Sequence, residues 1–317
     1  MTDTKVYAAR TKDREVIEKS SSGGVFTAIS NHFLDHNDAI LCASYNFETN
    51  REEFGIILTR EERDRARGSV YIQSYAGDTW KKSVSWLKDN PGHKLLFVGV
   101  GCQAAGYARF MEMQGLRDRV TVTDLICHGA PSPKIWREYA EHLSGGERFS
   151  AINFRDKRTG WEHSSAIAVL NGREISLNKY RRIYSKRYTL RKSCSVCPYT
   201  RVDRYTDITI GDFWHLEKSM PDFVDPMGTS LILLHTDKGA ELFESIRDDL
   251  DYRESNTADC WQMNLERPTE HAPDRDKFWK DYRERGAAYV IDKYSRVPVL
   301  KRIKGRIKRS MKAILSK

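Results

Sequence analysis

A repeated order of short apolar strand, small-residue turn and amphipathic helix is the feature of this sequence that most restricts its fold. The apolar stretch at 94–100 precedes one helix-like segment, and the stretch at 120–126 precedes another. A third apolar stretch at 230–235 leads into a predicted helix at 238–250. Strands that alternate with helices in this way are typical of α/β proteins. The sequence therefore predicts an α/β core.

The middle of the chain follows a different pattern. Residues 151–177 alternate apolar and polar side chains, as antiparallel strands with one buried face do. We therefore expect a mixed sheet core flanked by helices, with a β-rich insertion and a helical C-terminal end, so that α/β and α+β elements are combined. The folded domain is predicted to cover residues 1–295, with a basic amphipathic tail at 296–317.

The net charge of +9 is concentrated in that tail. From Lys301 to Lys317 there are eight Lys or Arg residues and no Asp or Glu, so the rest of the chain is nearly neutral. A nucleic-acid-binding domain would spread basic residues over a face of its fold, so we expect no nucleic acid partner. Apolar residues recur in the tail at helical spacing, which predicts contact of residues 300–317 with an anionic membrane surface. A solvated terminus, or a helix docked on an acidic partner, is the alternative.

The sequence disfavours a membrane-spanning protein and a secreted protein. No apolar run approaches the roughly 20 residues that span a bilayer, and the polar N-terminus has no signal-peptide core. Six cysteines are too few for a secreted disulfide scaffold of this size. We predict a cytoplasmic protein that could also lie against the inner face of the membrane.

Four cysteines form the strongest candidate site. Cys194 and Cys197 are separated by two residues and followed by Pro198, a spacing used by iron–sulfur, zinc and dithiol redox sites. Cys102 and Cys127 each follow a predicted strand and precede a helix. If those strands are parallel, both thiols emerge at the sheet edge where α/β proteins build their sites, and a helix N-terminus favours the thiolate. The four thiols equal the number of ligands of a [4Fe–4S] cluster.

Other interpretations of these thiols stay open. The two isolated thiols could be ordinary buried core residues, as Cys42 and Cys260 are interpreted to be. A structural zinc ion usually binds two pairs of ligands that are each close in the sequence. This sequence has one such pair, Cys194 and Cys197, and His128 or His215 could complete the zinc site. Zinc is therefore the competing metal.

Two loop-like segments have the composition of a phosphate site. A run of serines and glycines precedes a helix-like segment, and hydroxyls and amides at a helix start bind anions. Its candidate residues are Ser21, Ser22, Gly23 and Gly24. The segment 68–74, with Gln73, could also contact a nucleotide. A capped helix and an ordinary turn are the simpler alternatives.

Two further segments combine charges with aromatic rings. A predicted strand at 207–211 ends at Asp212 and is followed by Trp214, which could place a carboxylate and a ring against a planar cofactor. The alternative is a buried strand with core aromatics. The segment 154–161 could bind an acidic ligand, or it could be a hairpin with a surface ion pair.

Taken in order, these segments resemble the coenzyme F420 hydrogenase/dehydrogenase beta-subunit family. The resemblance runs from about Lys5 to Trp279. It rests on nine segments: SSSGGVFTA, GSVYIQS, GVGCQAAG, DLICHGAPSPKIW, FRDKRTGW, CSVCP, DITIGDFW, GTS, and QMNLERP with the later HAPDRDKFW.

This resemblance implies an oxidoreductase subunit with FAD and a [4Fe–4S] cluster. Relatives relay electrons between iron–sulfur partners and an organic two-electron substrate such as the deazaflavin coenzyme F420. Similar proteins occur in bacterial polysaccharide biosynthesis. The substrate is therefore expected to be similar to coenzyme F420 or to belong to such a pathway. The alternative function is a zinc-binding or cofactor-less scaffold or assembly protein of a polysaccharide-synthesis pathway. The implied metal ligands are Cys102, Cys127, Cys194 and Cys197. The implied cofactor-binding residues are Ser21, Ser22, Gly23, Gly24, Gln73, Asp212 and Trp214, with no catalytic acid or base assigned.

The chain departs from the family pattern at three places. Many relatives carry an N-terminal ferredoxin-like module with two cysteine runs, whereas here no Cys precedes Cys42. We therefore expect electrons to be exchanged with a separate ferredoxin-like or other iron–sulfur protein. Residues 99–103 read GVGCQ in place of the usual GTPCQ, and His215 stands where the family has Gly.

Overall fold

A computed structural model describes residues 4–296 of the protein. Within them the strands are β1 Lys5–Thr11, β2 Ala39–Asn46, β3 Arg51–Ile57, β4 Leu95–Val100, β5 Val120–Leu125, β6 Ala151–Asp156, β7 Ser165–Leu170, β8 Arg173–Ser176, β9 Ile208–Asp212, β10 Ser230–Leu234 and β11 Leu250–Ser255. The α-helices are α1 Arg14–Lys19, α2 Val25–Asp35, α3 Arg60–Arg65, α4 Thr79–Asp89, α5 Gly101–Met113, α6 Pro133–Ser144, α7 Asn178–Ser185, α8 Asp237–Ile246 and α9 Arg275–Tyr294.

Eight strands form one mixed sheet in the order β11-β1-β10-β9-β5-β4-β2-β3. The central strands β2, β4, β5 and β9 pair in parallel, and the outer strands pair antiparallel with their neighbours. In the β4–β5 pair, Val100 lies opposite Leu125, so the carboxyl ends of these strands meet at one edge. The mixed α/β core predicted from the sequence is confirmed.

Helices cover both faces of this sheet. On one face α2 and α8 bury apolar side chains such as Ile29 and Phe243 against the strands. On the other, α4 and α5 contribute Leu87 and Tyr107 to a second core that contains Phe97. Each fully buried side chain of this size contributes about 1.5–3 kcal/mol to folding. The two cores fix the helices and therefore the loops that connect them to the strands.

The predicted β-rich insertion is the three-stranded antiparallel sheet β6-β7-β8. Its apolar face packs with α6, α7 and α9 around large aromatic side chains, including Trp136, Phe154, Tyr180 and Phe278. The helix α9 is interrupted at Gly286, where φ is 77°. The helical C-terminal end is thus part of the core that holds the insertion.

One predicted helix boundary is wrong. The helix expected at 238–250 ends at Ile246, and Leu250 begins β11 instead. Leu250 is 3% exposed and pairs with Thr11 of β1 at the edge of the main sheet. Burial in the sheet outweighs the helical periodicity of the preceding residues, because tertiary contacts override local propensity.

No helix within residues 4–296 is long and apolar enough to cross a bilayer. The tail at 300–317 and its predicted membrane contact lie outside the described residues.

Candidate functional site

A cavity of about 340 Å³ opens at the carboxyl ends of β4, β5 and β9. Its volume lies within the roughly 300–1,000 Å³ of small-molecule sites. Most of the residues singled out in the sequence line it: Ser21, Ser22, Gly24, Gln73, Cys102, Cys127, Cys194 and Asp212. Gly23, Cys197 and Trp214 are not among the lining residues. One space therefore joins the candidate phosphate segment to three of the four candidate metal ligands.

Two of the thiols come from neighbouring parallel strands. Cys102 is the second residue of α5, directly after β4, and Cys127 follows the end of β5. Because β4 and β5 pair in register up to Val100 and Leu125, both thiols emerge at the same sheet edge. This is the placement that the strand–turn–helix pattern predicted.

Cys194, one of the other two thiols, is hydrogen-bonded to the loop that follows Cys127. The backbone N–H of Ala130 donates to Sγ of Cys194 at 3.4 Å. The backbone N–H of Gly129 donates to Sγ of Cys127 at 3.3 Å. The N–H of Arg191 donates to the carbonyl of Ala130 at 2.9 Å, which ties the two loops together.

Gly129 allows the close approach of these loops. Its φ is 127°, and a Cβ there would lie 2.9 Å from Cδ1 of Leu190 and 3.5 Å from Cβ of Cys194. Only glycine adopts this backbone conformation without strain. The glycine beside Cys127 is therefore required by the packing of the second cysteine loop.

The four thiols lie close enough to influence one another's ionisation. Burial raises the pKa of Cys127 to about 12, and Cys102, Cys194 and Cys197 contribute in the same direction. Partial burial also raises the pKa of Cys102, and the nearby thiols of Cys197 and Cys194 raise it further. For the free thiol of Cys102, these effects oppose the helix N-terminus, which favours the thiolate. A metal bound here would displace protons from the sulfurs.

A buried ion pair lies against the start of α5. Nη1 of Arg204 donates to Oδ2 of Asp124, and the hydroxyl of Thr206 donates to Oδ1 at 2.8 Å. A Cβ on Gly101 would lie 3.1 Å from Oδ2 of Asp124 and 3.3 Å from Nη1 of Arg204. Asp124 is fully buried and Arg204 is 8% exposed. The pair therefore supports the helix turn that presents Cys102.

The serine–glycine segment is anchored to the sheet and to the 68–74 loop. Oγ of Ser21 hydrogen-bonds to Oγ of Ser69 at 2.8 Å. The hydroxyl of Ser22 donates to the carbonyl of Thr229 at 2.9 Å, and the N–H of Gly23 donates to Oγ of Ser230 at 3.0 Å. Ser22 and Gly23 are thus already engaged in holding the segment against β10.

Gly24 and Ser20 are better placed to meet a ligand. Gly24 lines the cavity and is the residue before α2, with φ of 84°. Ser20 also lines the cavity, and its buried Oγ has no hydrogen-bond partner within residues 4–296. An unpaired buried hydroxyl beside a helix N-terminus is suited to an anionic oxygen.

Lys157 fixes the back of this segment. Its Nζ donates to the carbonyls of Ile17 at 2.6 Å, Ser22 at 3.1 Å and Met227 at 2.7 Å. Burial lowers the pKa of this ammonium to about 8. One side chain therefore joins α1, the serine segment and the loop before β10.

The segment 154–161 contacts Asp212 and Trp214 through hydrogen bonds and an aromatic ring pair. Nη1 of Arg155 donates to Oδ2 of Asp212, and Nε1 of Trp161 donates to Oδ1 at 3.2 Å. The rings of Trp161 and Trp214 are 4.3 Å apart between centroids. The 154–161 segment lies at the β6–β7 hairpin and carries a buried ion pair to the main sheet as well as an exposed ion pair between Arg158 and Glu174. The hairpin with a surface ion pair is therefore confirmed, and binding of an acidic ligand stays a prediction. The cofactor contact of Trp214 stays a prediction.

Two family models match this chain. The coenzyme F420 hydrogenase/dehydrogenase beta subunit N-terminal model covers residues 6–77, and the C-terminal model covers residues 92–259. The chain belongs to the coenzyme F420 hydrogenase/dehydrogenase beta-subunit family. The resemblance inferred from the sequence is confirmed, and the chain is an oxidoreductase subunit by family. Every residue that lines the cavity lies within one of the two matched ranges.

A solved structure shares the fold of this beta-subunit family member. It is a chain of the xenon-derivatised F420-reducing [NiFe] hydrogenase complex from Methanosarcina barkeri. The TM-score is 0.51 at 20% identity, covering 91% of this chain and 89% of that chain. No curated protein sequence matches significantly.

The described residues of this beta subunit do not form a complete ligand set for a single metal ion. Within residues 4–296, no group of three or more His, Cys, Asp or Glu side chains is close enough to hold one ion. His215 pairs with Glu217 at 3.7 Å and does not line the cavity. His128, the other histidine of the zinc alternative, does line the cavity, so that alternative stays open.

Two polar cavity residues of this beta subunit were not among the candidate site residues. Ser20 is the first residue of the serine run. Glu52 lies on β3, lines the cavity and is 8% exposed. Nothing in its local sequence distinguishes it from the exposed acids around it, because its orientation depends on the pairing of β3 with β2.

Proposed function

We propose that this beta-subunit family member binds FAD in the cavity and one [4Fe–4S] cluster at Cys102, Cys127, Cys194 and Cys197. It would relay electrons between an iron–sulfur protein and an organic two-electron substrate. The observation that carries the proposal is the single cavity lined by both the serine–glycine segment and three of the thiols. FAD would supply chemistry that joins two-electron and one-electron steps.

A cluster requires less close spacing of its ligands than a single metal ion does. A cubane presents its irons at separate corners, so its thiolates can be farther apart than the ligands of one ion. The hydrogen bonds from Gly129 to Cys127 and from Ala130 to Cys194 would remain on the sulfurs. Such donors help to set the reduction potential of a cluster.

The phosphate end of FAD fits the start of α2. The unpaired hydroxyl of Ser20 and the backbone at Gly24 face the cavity there. The positive end of the helix dipole favours an anion at this position. Lys157 would hold the segment in place without contacting the phosphates, since its Nζ is occupied by three carbonyls.

A partner protein would approach the cysteine loop from outside. Val196, between the two close thiols, is 75% exposed, and Tyr205, farther along the same loop, is 80% exposed. Exposed apolar side chains beside a redox centre suit the small interfaces of electron-transfer complexes. We propose a cytoplasmic ferredoxin-like or other iron–sulfur partner. The substrate would be coenzyme F420, named for the similar hydrogenase complex, or a polysaccharide-pathway compound of similar two-electron chemistry.

Anaerobic purification with cofactor analysis tests this proposal. The full chain is expected to be brown, with about four iron atoms and one FAD per chain. Colourless protein containing zinc would reject the cluster in favour of the zinc alternative. Protein without iron, zinc or flavin after reconstitution would favour the scaffold or assembly role.

A further inference from the structure

Glu52 places an unpaired buried carboxyl in the cavity wall. It lies on β3 opposite Tyr45 of β2 and is 8% exposed. It lines the same cavity as the serine–glycine segment and the thiols. Its Oε2 is buried and has no hydrogen-bond partner within residues 4–296. Leaving such an oxygen unpaired costs about 1–3 kcal/mol, so an unpaired carboxyl oxygen in a cavity wall is suited to hold a ligand or a proton.

The charged groups around Glu52 do not neutralise it. On β2 the neighbouring titratable groups are Cys42 and Tyr45, whose own pKa values are raised by burial. On α3, Arg63 donates Nη1 to the carbonyl of Thr27 and to Asn31, and its Nε to Asp64. Arg63 is therefore engaged by groups other than Glu52.

Glu53 on the same strand and Arg67 in the nearby loop are also engaged elsewhere. Glu53 accepts hydrogen bonds from Asn46 and Thr49. Arg67, which lines the cavity, donates Nε to Thr27 and forms an ion pair with Asp64. Burial alone raises the pKa of Glu52 to about 8, so the carboxyl is mostly protonated at neutral pH.

The other carboxyl in the cavity cannot fill this role. Within the described chain, Asp212 is the second carboxylic residue that lines the cavity. Its Oδ2 accepts a hydrogen bond from the guanidinium of Arg155 and its Oδ1 accepts one from Nε1 of Trp161, so both oxygens have partners. Glu52 is thus the cavity carboxyl with a buried oxygen left unpaired in residues 4–296.

We propose that Glu52 is the proton donor and acceptor for two-electron chemistry in this cavity. The inference rests on the proposed function and names the acid–base group that the sequence did not supply. Reduction of bound FAD by two electrons would take up at least one proton; Oε2 of Glu52 would supply it and become a carboxylate, which solvent would reprotonate. Oxidation of the reduced FAD by two electrons would release that proton to the carboxylate of Glu52.

Glu52→Gln tests this role, with Glu53→Gln as the matched control on the same strand. The first readout is the infrared band of a protonated carboxyl in the full chain without FAD. At pH 7 this band is expected in the wild type and in Glu53→Gln, and it should disappear as the pH rises through about 8. It should be missing in Glu52→Gln.

The second readout is the rate at which dithionite reduces FAD bound to the full chain. Loss of a positioned proton donor typically slows such a step by about 100-fold or more. We expect this slowing in Glu52→Gln, with a rate independent of pH between 6 and 9, while Glu53→Gln reduces at the wild-type rate. FAD affinity is measured in parallel.

The outcomes separate the two proposals. A missing infrared band in the wild type, or FAD reduction in Glu52→Gln at the wild-type rate and pH dependence, overturns the role of Glu52 alone. If the wild-type chain binds no FAD, the proposed function fails, and the proton-transfer role fails with it.

Discussion

Arg204 donates a hydrogen bond to Asp124 in a buried ion pair that lies against Gly101 at the start of α5. Asp124 is on the strand that leads to Cys127, and Arg204 is on the loop that follows Cys197. The ion pair therefore connects the three chain segments that carry the four thiols.

Removing one partner of this ion pair should destabilise the fold strongly. Arg204→Ala leaves the fully buried carboxylate of Asp124 without its cation, which typically costs about 3–5 kcal/mol. Arg201→Ala, on the same loop, removes an exposed ion pair to Asp203 and should cost less than about 1 kcal/mol. Urea denaturation of both variants measures the difference. Equal losses would show that the buried pair does not organise the site.

Lys157→Met should weaken both the fold and FAD binding. The substitution leaves the carbonyls of Ile17, Ser22 and Met227 without their shared donor, at a cost of roughly 3 kcal/mol. Lys19→Met, which removes an exposed ion pair to Glu15, serves as the control. Fluorescence titration with FAD measures the affinity. Wild-type affinity in Lys157→Met would contradict the anchoring role.

Gly129→Ala should separate the two cysteine loops. At φ of 127° the new Cβ is strained and lies 2.9 Å from Leu190, so we expect a loss of about 1–3 kcal/mol and a lower iron content. Gly115→Ala also forces a positive φ, of 66°, but has no neighbour within 4 Å of the added Cβ. Thermal unfolding and iron analysis compare them. Full iron content in Gly129→Ala would show that this contact does not matter for the cluster.

Glu52 should make stability depend on pH. Burial raises its pKa in the folded state from the ordinary 4.5 to about 8, so the folded chain binds more protons than the unfolded chain between these values. The protonated carboxyl therefore gives its full contribution to the free energy of unfolding below about pH 4.5, and this contribution is lost as the pH rises to about 8. At pH 7 the free energy of unfolding is lower by roughly 3 kcal/mol than it would be with Glu52 fully protonated in both states.

Comparison of Glu52→Gln with the wild type isolates this effect. The amide cannot ionise, so the variant should gain stability relative to the wild type as the pH rises from 5 to 8. Urea denaturation at each pH gives the difference, with Glu53→Gln expected to show none. A difference that does not change with pH would mean that Glu52 is already ionised in the folded protein.

The positions of Cys102 and Cys127 could be predicted because each depends only on the strand that directly precedes it in the sequence. Cys102 and Cys127 follow strands that turned out to be parallel and adjacent, so the strand–turn–helix pattern was sufficient. The serine–glycine run was likewise followed by a helix, α2.

Contacts between distant segments could not be predicted in the same way. Arg155 and Asp212 each lie in a segment that looked like a separate site, and their pairing depends on how the insertion packs on the main sheet. The burial of Lys157 depends on carbonyls from three different parts of the chain. Glu52 faces the cavity because of its register with Tyr45, which no local pattern encodes.

Electron paramagnetic resonance of the anaerobically reduced protein tests the central claim most directly. We expect the wild-type chain, Cys42→Ala and Cys260→Ala to show the spectrum of a reduced [4Fe–4S] cluster. Cys102→Ala, Cys127→Ala, Cys194→Ala and Cys197→Ala should each lose or alter it. An unchanged wild-type spectrum in Cys102→Ala and Cys127→Ala would contradict the four-thiolate cluster.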